Sequence, residues 1–265
     1  MPRNKLIVVV LVGAGLFAGT AISADTADES PAQKPVAAGA EPEAAEPHVA
    51  RGRVVDSRGE PIPGAVVTVD HTLFYNANIQ ARTARDGTYR VGVPQGSYRA
   101  TASLTREYHG KKYRFDLHPE TVEDFAGSDG AVRNFVWKLS GDKPEGSSGT
   151  YGGFVVAYTE PGDFSMDMTD VELTLTPDGH VVDGGKGEPV TRKLVSTADG
   201  WAVQDVPLGR YRIAARHAPE GKKPVRIRVR QRNTGQYVDT LTADFATPNG
   251  PNLAIHRIEL EVKKP

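Results

Sequence analysis

Val225, Ile227 and Val229 alternate strictly with Arg226, Arg228, Arg230 and Arg232, the signature of a strand with one face inward and one toward water. Val132, Asn134, Val136 and Lys138 alternate against Arg133, Phe135, Trp137 and Leu139, a second candidate strand. Shorter β-branched runs at Val54–Val55, Ala65–Val69, Phe154–Tyr158, Val171–Thr176 and Leu253–Val262 read as further strands. Turn chemistry separates them, as in Asp56-Ser57-Arg58-Gly59-Glu60-Pro61 and Asn233-Thr234-Gly235. Beyond the leader no stretch keeps a 3.6-residue period. The pattern predicts an all-β protein of two tandem sandwiches, with roughly seven strands each.

An internal repeat supports the tandem reading. DGTYRVGVPQGSYRATA begins at Asp86 and DGWAVQDVPLGRYRIAA at Asp199. Asp86, Gly87, Pro94, Gly96 and Tyr98 map onto Asp199, Gly200, Pro207, Gly209 and Tyr211 with one constant offset. The spacing predicts a pair of β-hairpins, each with an Asp-Gly turn before its first strand and a Pro-x-Gly reversal before its second. Tyr98 and Tyr211 are expected to pack at the sandwich edge.

The run GRVVDSRGEPIPGAVVTV, followed by the first Asp-Gly…Pro-x-Gly-x-Tyr unit, resembles the carboxypeptidase regulatory-like domain, a transthyretin-like β-sandwich. The resemblance is close over Arg51 to about Ser103. The second half keeps only the Asp-Gly…Pro-x-Gly-x-Tyr part, around residues 196–215, and residues 107–139 are an elaboration outside the short pattern. The resemblance implies an accessory role in binding or structure rather than catalysis. Enzymes on similar sandwiches lack their parts here: the hydroxyisourate hydrolase Tyr-Arg-Gly-Ser tail is replaced by Glu261-Val262-Lys263-Lys264-Pro265, and the dioxygenase His-x-His pair is absent, His109 and His118 standing far apart.

Length and composition complete the organisation. Residues 1–24 combine basic Arg3 and Lys5, an apolar run from Leu6 to Ala18, and small residues before a cleavage point after Ala24, which reads as a secretory signal peptide. Residues 25–49, rich in Ala, Pro and Glu, cannot bury enough apolar surface to fold and read as a disordered spacer. The first sandwich is expected over 50–141, a linker over 142–150 built on the Gly141–Gly149 stretch GDKPEGSSG, and the second sandwich over 151–265. The 265-residue chain has a net charge of −1 and no cysteine. It therefore has no general attraction for nucleic acid, no disulfides, and no thiolate nucleophile or metal ligand.

Other chemistry is poorly supported. His217-Ala218-Pro219-Glu220 with His256 has zinc-ligand spacing, but Pro219 and Gly221 place it in a loop rather than on a helix. Gly184-Gly185-Lys186-Gly187 lacks the first glycine and the hydroxyl residue of a phosphate loop. Asp163, Asp167 and Asp170 match no defined calcium loop and read as a solvated turn. No metal and no cofactor is expected.

Two candidate surfaces remain. Tyr75, Asn76, Tyr108, Tyr113 and Trp137, with Phe74, Phe115 and Phe125 beside them, could form a groove on which sugar rings stack while amides take the hydroxyls. Arg226, Arg228, Arg230 and Arg232 could clamp a polyanion, unless Glu259 and Glu261 pair with them. The expected function is that of an exported, secreted or periplasmic, non-catalytic module binding carbohydrate or an envelope glycan. The alternative is a structural or protein-interaction role in the cell envelope, with an envelope protein as partner and no membrane span after signal removal.

Overall fold

A computed structural model describes residues 44–247 and 255–265. The segments expected to be a signal peptide and, nearly all of it, a spacer lie outside these residues. Nineteen strands and one 3-10 turn, Met168–Asp170, make up the regular structure of the described residues.

The first sandwich uses β1 (Val49–Asp56), β2 (Val66–His71), β3 (Asn78–Arg82), β4 (Thr88–Gly92), β5 (Ser97–Tyr108), β6 (Lys111–Asp116), β7 (His118–Pro119), β8 (Phe125–Ala126), β9 (Ala131–Val132) and β10 (Phe135–Trp137). One sheet has the order β4-β1-β10-β7 with β9 also on β1; the other has the order β3-β2-β5-β6 with β8 also on β5. Val54, Val67, Val69, Tyr89, Leu104, Phe115 and Phe135 are buried, as the two-residue period requires of facing sheets.

The second sandwich uses β11 (Gly153–Thr159), β12 (Val171–Pro177), β13 (Val190–Lys193), β14 (Val195–Thr197), β15 (Gly200–Val206), β16 (Arg210–His217), β17 (Val225–Gln231), β18 (Leu241–Asp244) and β19 (Arg257–Lys263). Its strands follow the order β13-β12-β16-β17-β19-β11-β15-β14, with β18 also on β16. Strand β17 pairs with β16 through Ala215–His217 and with β19 through Leu260–Lys263, so it links the two layers.

The repeat is visible in strand pairing. In the first sandwich β1 lies antiparallel to the Asp-Gly strand β4 and parallel to the closing strand β10. In the second, β11 lies antiparallel to β15 and parallel to β19. The strand after Pro-x-Gly-x-Tyr pairs elsewhere in both, β5 with β2 and β16 with β12. The motif is therefore not a hairpin. It is an arch that carries the chain from one sheet to the other, and both tyrosines drop into the core rather than packing at the edge: Tyr98 and Tyr211 are buried, and the Tyr211 hydroxyl donates to the Pro207 carbonyl at 2.8 Å. An arch fits because a tyrosine just past the bend can fill the space between layers, whereas in a hairpin its two strands would share one sheet.

The linker is also more ordered than its composition suggests. Asp142 and Thr150 form a β-bridge, and Lys143 N–H donates to the Gly149 carbonyl at 3.0 Å. Asp205, at a left-handed φ of 54°, accepts from Gly141 N–H at 2.9 Å and from Gly152 N–H at 3.1 Å. One carboxylate from the second sandwich thus closes both ends of the loop.

Candidate functional site

The aromatic elaboration is where the two sandwiches meet. Strands β5 and β6 form a hairpin whose two-residue turn, His109-Gly110, has φ values of 49° and 73°, the conformation a tight hairpin needs. Its tip reaches the second sandwich. The half-buried Tyr108 hydroxyl donates to the His180 carbonyl at 2.7 Å and accepts from Arg210 N–H at 3.0 Å. His109 stacks on the Tyr108 ring and places Nδ1 2.8 Å from Asp244, which Arg210 also grips at 2.7 Å. Burial pushes the Asp244 carboxyl upward, but Arg210 and His109 outweigh it and hold the group below its ordinary range.

Deeper in, the Tyr113 hydroxyl donates to the Phe245 carbonyl at 2.7 Å. Tyr113 and Phe115 flank buried His256, whose Nε2 donates to the Arg114 carbonyl at 3.0 Å. Trp137 packs on Phe115 with ring centres 5.2 Å apart. Tyr113 and Trp137 are 2% and 4% exposed, so neither offers a face to a sugar ring. The groove expected of Tyr75, Tyr108, Tyr113 and Trp137 does not form. The rings of Tyr108, Tyr113 and Phe115 are used instead where one sandwich meets the other, where apolar area removed from water stabilises most.

Tyr75 and Asn76 lie apart from this interface, in the turn between β2 and β3. Leu73, Phe74 and Tyr75 are 79%, 64% and 102% exposed. The turn is nonetheless held: His71 Nδ1 accepts from Leu73 N–H at 3.1 Å, its ring lies between Phe74 and Tyr98, and Asn76 takes a left-handed φ of 58°.

The arginine strand does not present four free guanidinium groups. Arg230 bonds Glu261 at 2.6 Å and Arg232 bonds Glu259 at 3.0 Å. Glu261 also accepts from Asn233 N–H at 3.0 Å and the Tyr237 hydroxyl at 3.1 Å. Burial would raise its pKa, but the Asn233 N–H, Arg230 and Tyr237 together hold it below the ordinary carboxylate range. Arg230 and Arg232 are further engaged over the rings of Tyr237 and Tyr158. Arg226 and Arg228 are exposed, with Asp239 4.0 Å from Arg228. Pairing across β17 and β19 supplies the carboxylates opposite the strand, which removes the polyanion ladder.

The remaining chemical candidates resolve into structure. Asp56, the acidic residue of the Gly-x-Val-x-Asp run, is buried and accepts from Arg58 N–H at 2.8 Å, Glu60 N–H at 2.9 Å and the Arg58 side chain at 2.7 Å. It holds the turn that follows β1. Gly52 in the same run lies so close to Arg133 that a Cβ would stand 2.0 Å from its carbonyl oxygen. Asp163 and Asp167 accept from Ser165 and Thr169 within their own turns, and Asp170 faces Lys193 at 3.6 Å. His256 is enclosed at the interface, away from a loop ligand set with His217. Among the described residues no cluster of His, Asp and Glu could hold a metal ion, and no helix is long and apolar enough to cross a membrane.

One cleft, of about 650 Å³, was not foreseen. Its floor is β5 from Arg99 to Ser103; its walls include Leu117, Val122 and Tyr151, and the linker turn 143–148 forms its roof. Strand β6 pairs with β5 only from Ser103 onward, with one added bond from Leu117 to Ala102, and β8 takes up only Ser97 and Tyr98. Arg99, Ala100 and Thr101 therefore have a strand partner on the β2 side alone. Sequence pattern could not show this gap, because it arises from where two later segments leave one long strand.

No curated protein matches the chain. Among solved structures, it is similar to the Bacillus anthracis TIE protein, at 15% identity and a TM-score of 0.33, over 82% of this chain and 34% of that one. It is similar to a streptococcal ancillary pilin at 14% identity and a TM-score of 0.26, over 82% of this chain and 62% of that one. A C-terminal fragment of the pilus adhesin SpaC from Lactobacillus rhamnosus GG matches at 12% identity and a TM-score of 0.25, over 81% of this chain and 96% of that one. The chain thus spans about a third of the first of these proteins and under two thirds of the second. The buried Asp56 turn, Gly52 and the first inter-sheet arch all fall within the segment where a family description applies: residues 50–125 match the carboxypeptidase regulatory-like domain.

Proposed function

We propose that this chain is an exported, non-catalytic interaction module of the cell envelope, in which two sandwiches are locked together so that their outer surfaces meet a protein partner at a set geometry. One observation supports this reading most: Tyr108, Tyr113 and Phe115 join the sandwiches, and Trp137 is buried behind Phe115, instead of lining an open groove. The glycan reading loses its stacking surface there and keeps only the exposed Tyr75 with Asn76. An exposed, locally braced Leu73-Phe74-Tyr75 turn suits a protein contact, since rigid aromatic anchors lose little entropy on binding.

The test is site-specific photo-crosslinking in intact cells, with a photoreactive residue at Tyr75 and a control at exposed Gln80. A discrete adduct with an envelope protein from Tyr75, absent from the control, is expected. No adduct, together with Tyr75-dependent retention on a glycan array, reverses the choice between the two roles. Export is tested by fractionation of the same cells, where a cytoplasmic product removes the envelope assignment.

A further inference from the structure

We propose that the cleft between β5 and the linker turn receives an extended peptide strand with an acidic side chain, paired by its backbone to β5 at Ala100. The inference rests on the interaction reading and names one surface and one kind of partner for it.

Three observations converge on this cleft. The stretch Arg99–Thr101 is a sheet edge inside a longer strand, bounded by β6 on one side and β8 on the other. Ala102 turns its carbonyl toward the cleft side, where Leu117 N–H bonds it at 2.9 Å, while Ser97 turns its carbonyl the other way, toward Thr72 N–H at 2.9 Å. Backbone direction alternates along a strand, so Ala100 turns its N–H and C=O to the same sheet edge as Ala102, beside the cleft residues Leu117, Pro119 and Val122. Exposed edges of this kind are templates for an added strand and are usually blocked. Here the linker turn arches over the edge without pairing with it.

Size and charge narrow the occupant. A cleft of about 650 Å³ lies within the range of sites that enclose a small ligand or a short peptide segment. Thr68, Thr101 and Ser103 offer hydroxyls on the sheet, and Ser147 and Ser148 offer them from the roof. Arg99 is engaged by Asp124 at 2.7 Å and Lys143 stands 3.8 Å from Asp116. Arg114 is exposed on the cleft wall and its guanidinium has no carboxylate partner among the described residues. A carboxylate on the incoming strand supplies that partner by a charge-assisted bond. The mode is strand addition, in which main-chain bonds give affinity and alternate side chains give selectivity.

The experiment uses the full-length protein, a fluorescein-labelled octapeptide of alternating Val and Glu, the same peptide N-methylated at alternate residues, and a hyaluronan hexasaccharide. Anisotropy is expected to show saturable binding of the first peptide and none of the methylated one. Arg114→Glu, on an exposed strand position, is expected to weaken binding roughly tenfold. Thr101→Trp, which fills the cleft from the solvent side, is expected to abolish it with an unchanged circular dichroism spectrum. The inference is overturned by absent peptide binding, by equal binding of the methylated peptide, by a wild-type affinity in both variants, or by Arg114-dependent binding of the hexasaccharide alone. An envelope adduct at Tyr75 without peptide binding removes the cleft assignment and leaves the interaction reading standing.

Discussion

The Tyr113 hydroxyl, buried on β6 of the first sandwich, donates to the carbonyl of Phe245 in the second at 2.7 Å. The bond joins residues far apart in sequence and marks the centre of the contact made by the β5–β6 hairpin. Around it lie the Tyr108 bonds to His180 and Arg210, and the pairing of His109 and Arg210 with Asp244. The β5–β6 hairpin, which falls within the 50–125 family match although it lies beyond the short opening motif, therefore has a clear physical task, which is to cover apolar surface that each sandwich would otherwise expose.

Replacing Tyr113 by Phe keeps the ring packing and removes only the hydroxyl. The Phe245 carbonyl is then left with a distant Lys111 ammonium at 3.4 Å. A loss of about 1–2 kcal/mol is expected, read as a lower urea midpoint with an unchanged m-value. A midpoint equal to that of the parent protein would show that the bond contributes nothing net.

Glu261 gathers three donors, from Arg230, Asn233 and Tyr237. Glu261→Gln removes the charge that Arg230 faces and is expected to cost about 2 kcal/mol. Arg226→Gln, at an exposed position on the same strand, is expected to leave stability within about 0.5 kcal/mol of the parent. Equal effects from the two variants would contradict the pairing described here.

Acid should weaken the fold in two stages. Burial lowers the pKa of His256 and of His118 from the ordinary value of 6.5. Below pH 6.5 the unfolded chain takes up protons that the folded protein still refuses, so the unfolded state binds more protons and stability falls as pH drops. For His256 the slope reaches at most about 1.4 kcal/mol per pH unit. Asp56, Asp244 and Glu261, all held below their ordinary values, are fully stabilising above the carboxylate range and add a second loss below it. Denaturation midpoints from pH 7 to 3 check both stages. His256→Gln is expected to flatten the first stage and leave the second.

Asp205 closes the linker turn by accepting from both Gly141 and Gly152. Asp205→Ala leaves both N–H groups to water and should loosen the base of the loop. Faster amide exchange at residues 141–152 is expected, with protection in β15 and β16 unchanged. Identical exchange in the two proteins would mean that the Tyr151 N–H bond to the Gly141 carbonyl suffices to hold the turn.

Much of the architecture was legible from local pattern. Val225, Ile227 and Val229 forecast a strand, and Ile227 and Val229 do face the core, while Val225 at the strand start is exposed. Asp86-Gly87 and Asp199-Gly200 forecast turns, and both glycines take left-handed φ values, 77° and 111°. The Gly52–Asp56 run announced a fold family because its residues answer fixed demands: close approach of the Arg133 backbone at Gly52, and capping of the adjoining turn at Asp56.

The candidate sites were not legible to the same degree. Tyr75 and Trp137 are both large aromatics beside polar neighbours, and nothing local separates the exposed ring from the buried one. Arg230 and Arg226 occupy equivalent positions in the alternation, yet only Arg230 meets a buried carboxylate. Composition likewise made residues 142–150 a tether, although Asp205 from a distant strand closes them into a turn that roofs a cleft.

By itself, then, the sequence determined the all-β class, the duplicated unit and the turn positions, since these depend on side-chain period and on backbone preference over a few residues. Only the tertiary structure decided that the repeated motif is an arch between sheets, that the aromatic elaboration is an interface, and that β5 keeps an unpaired stretch. Each of these depends on which segments, far apart in the chain, come to lie beside one another, and the free energy of burial and pairing between them is not written into either segment alone.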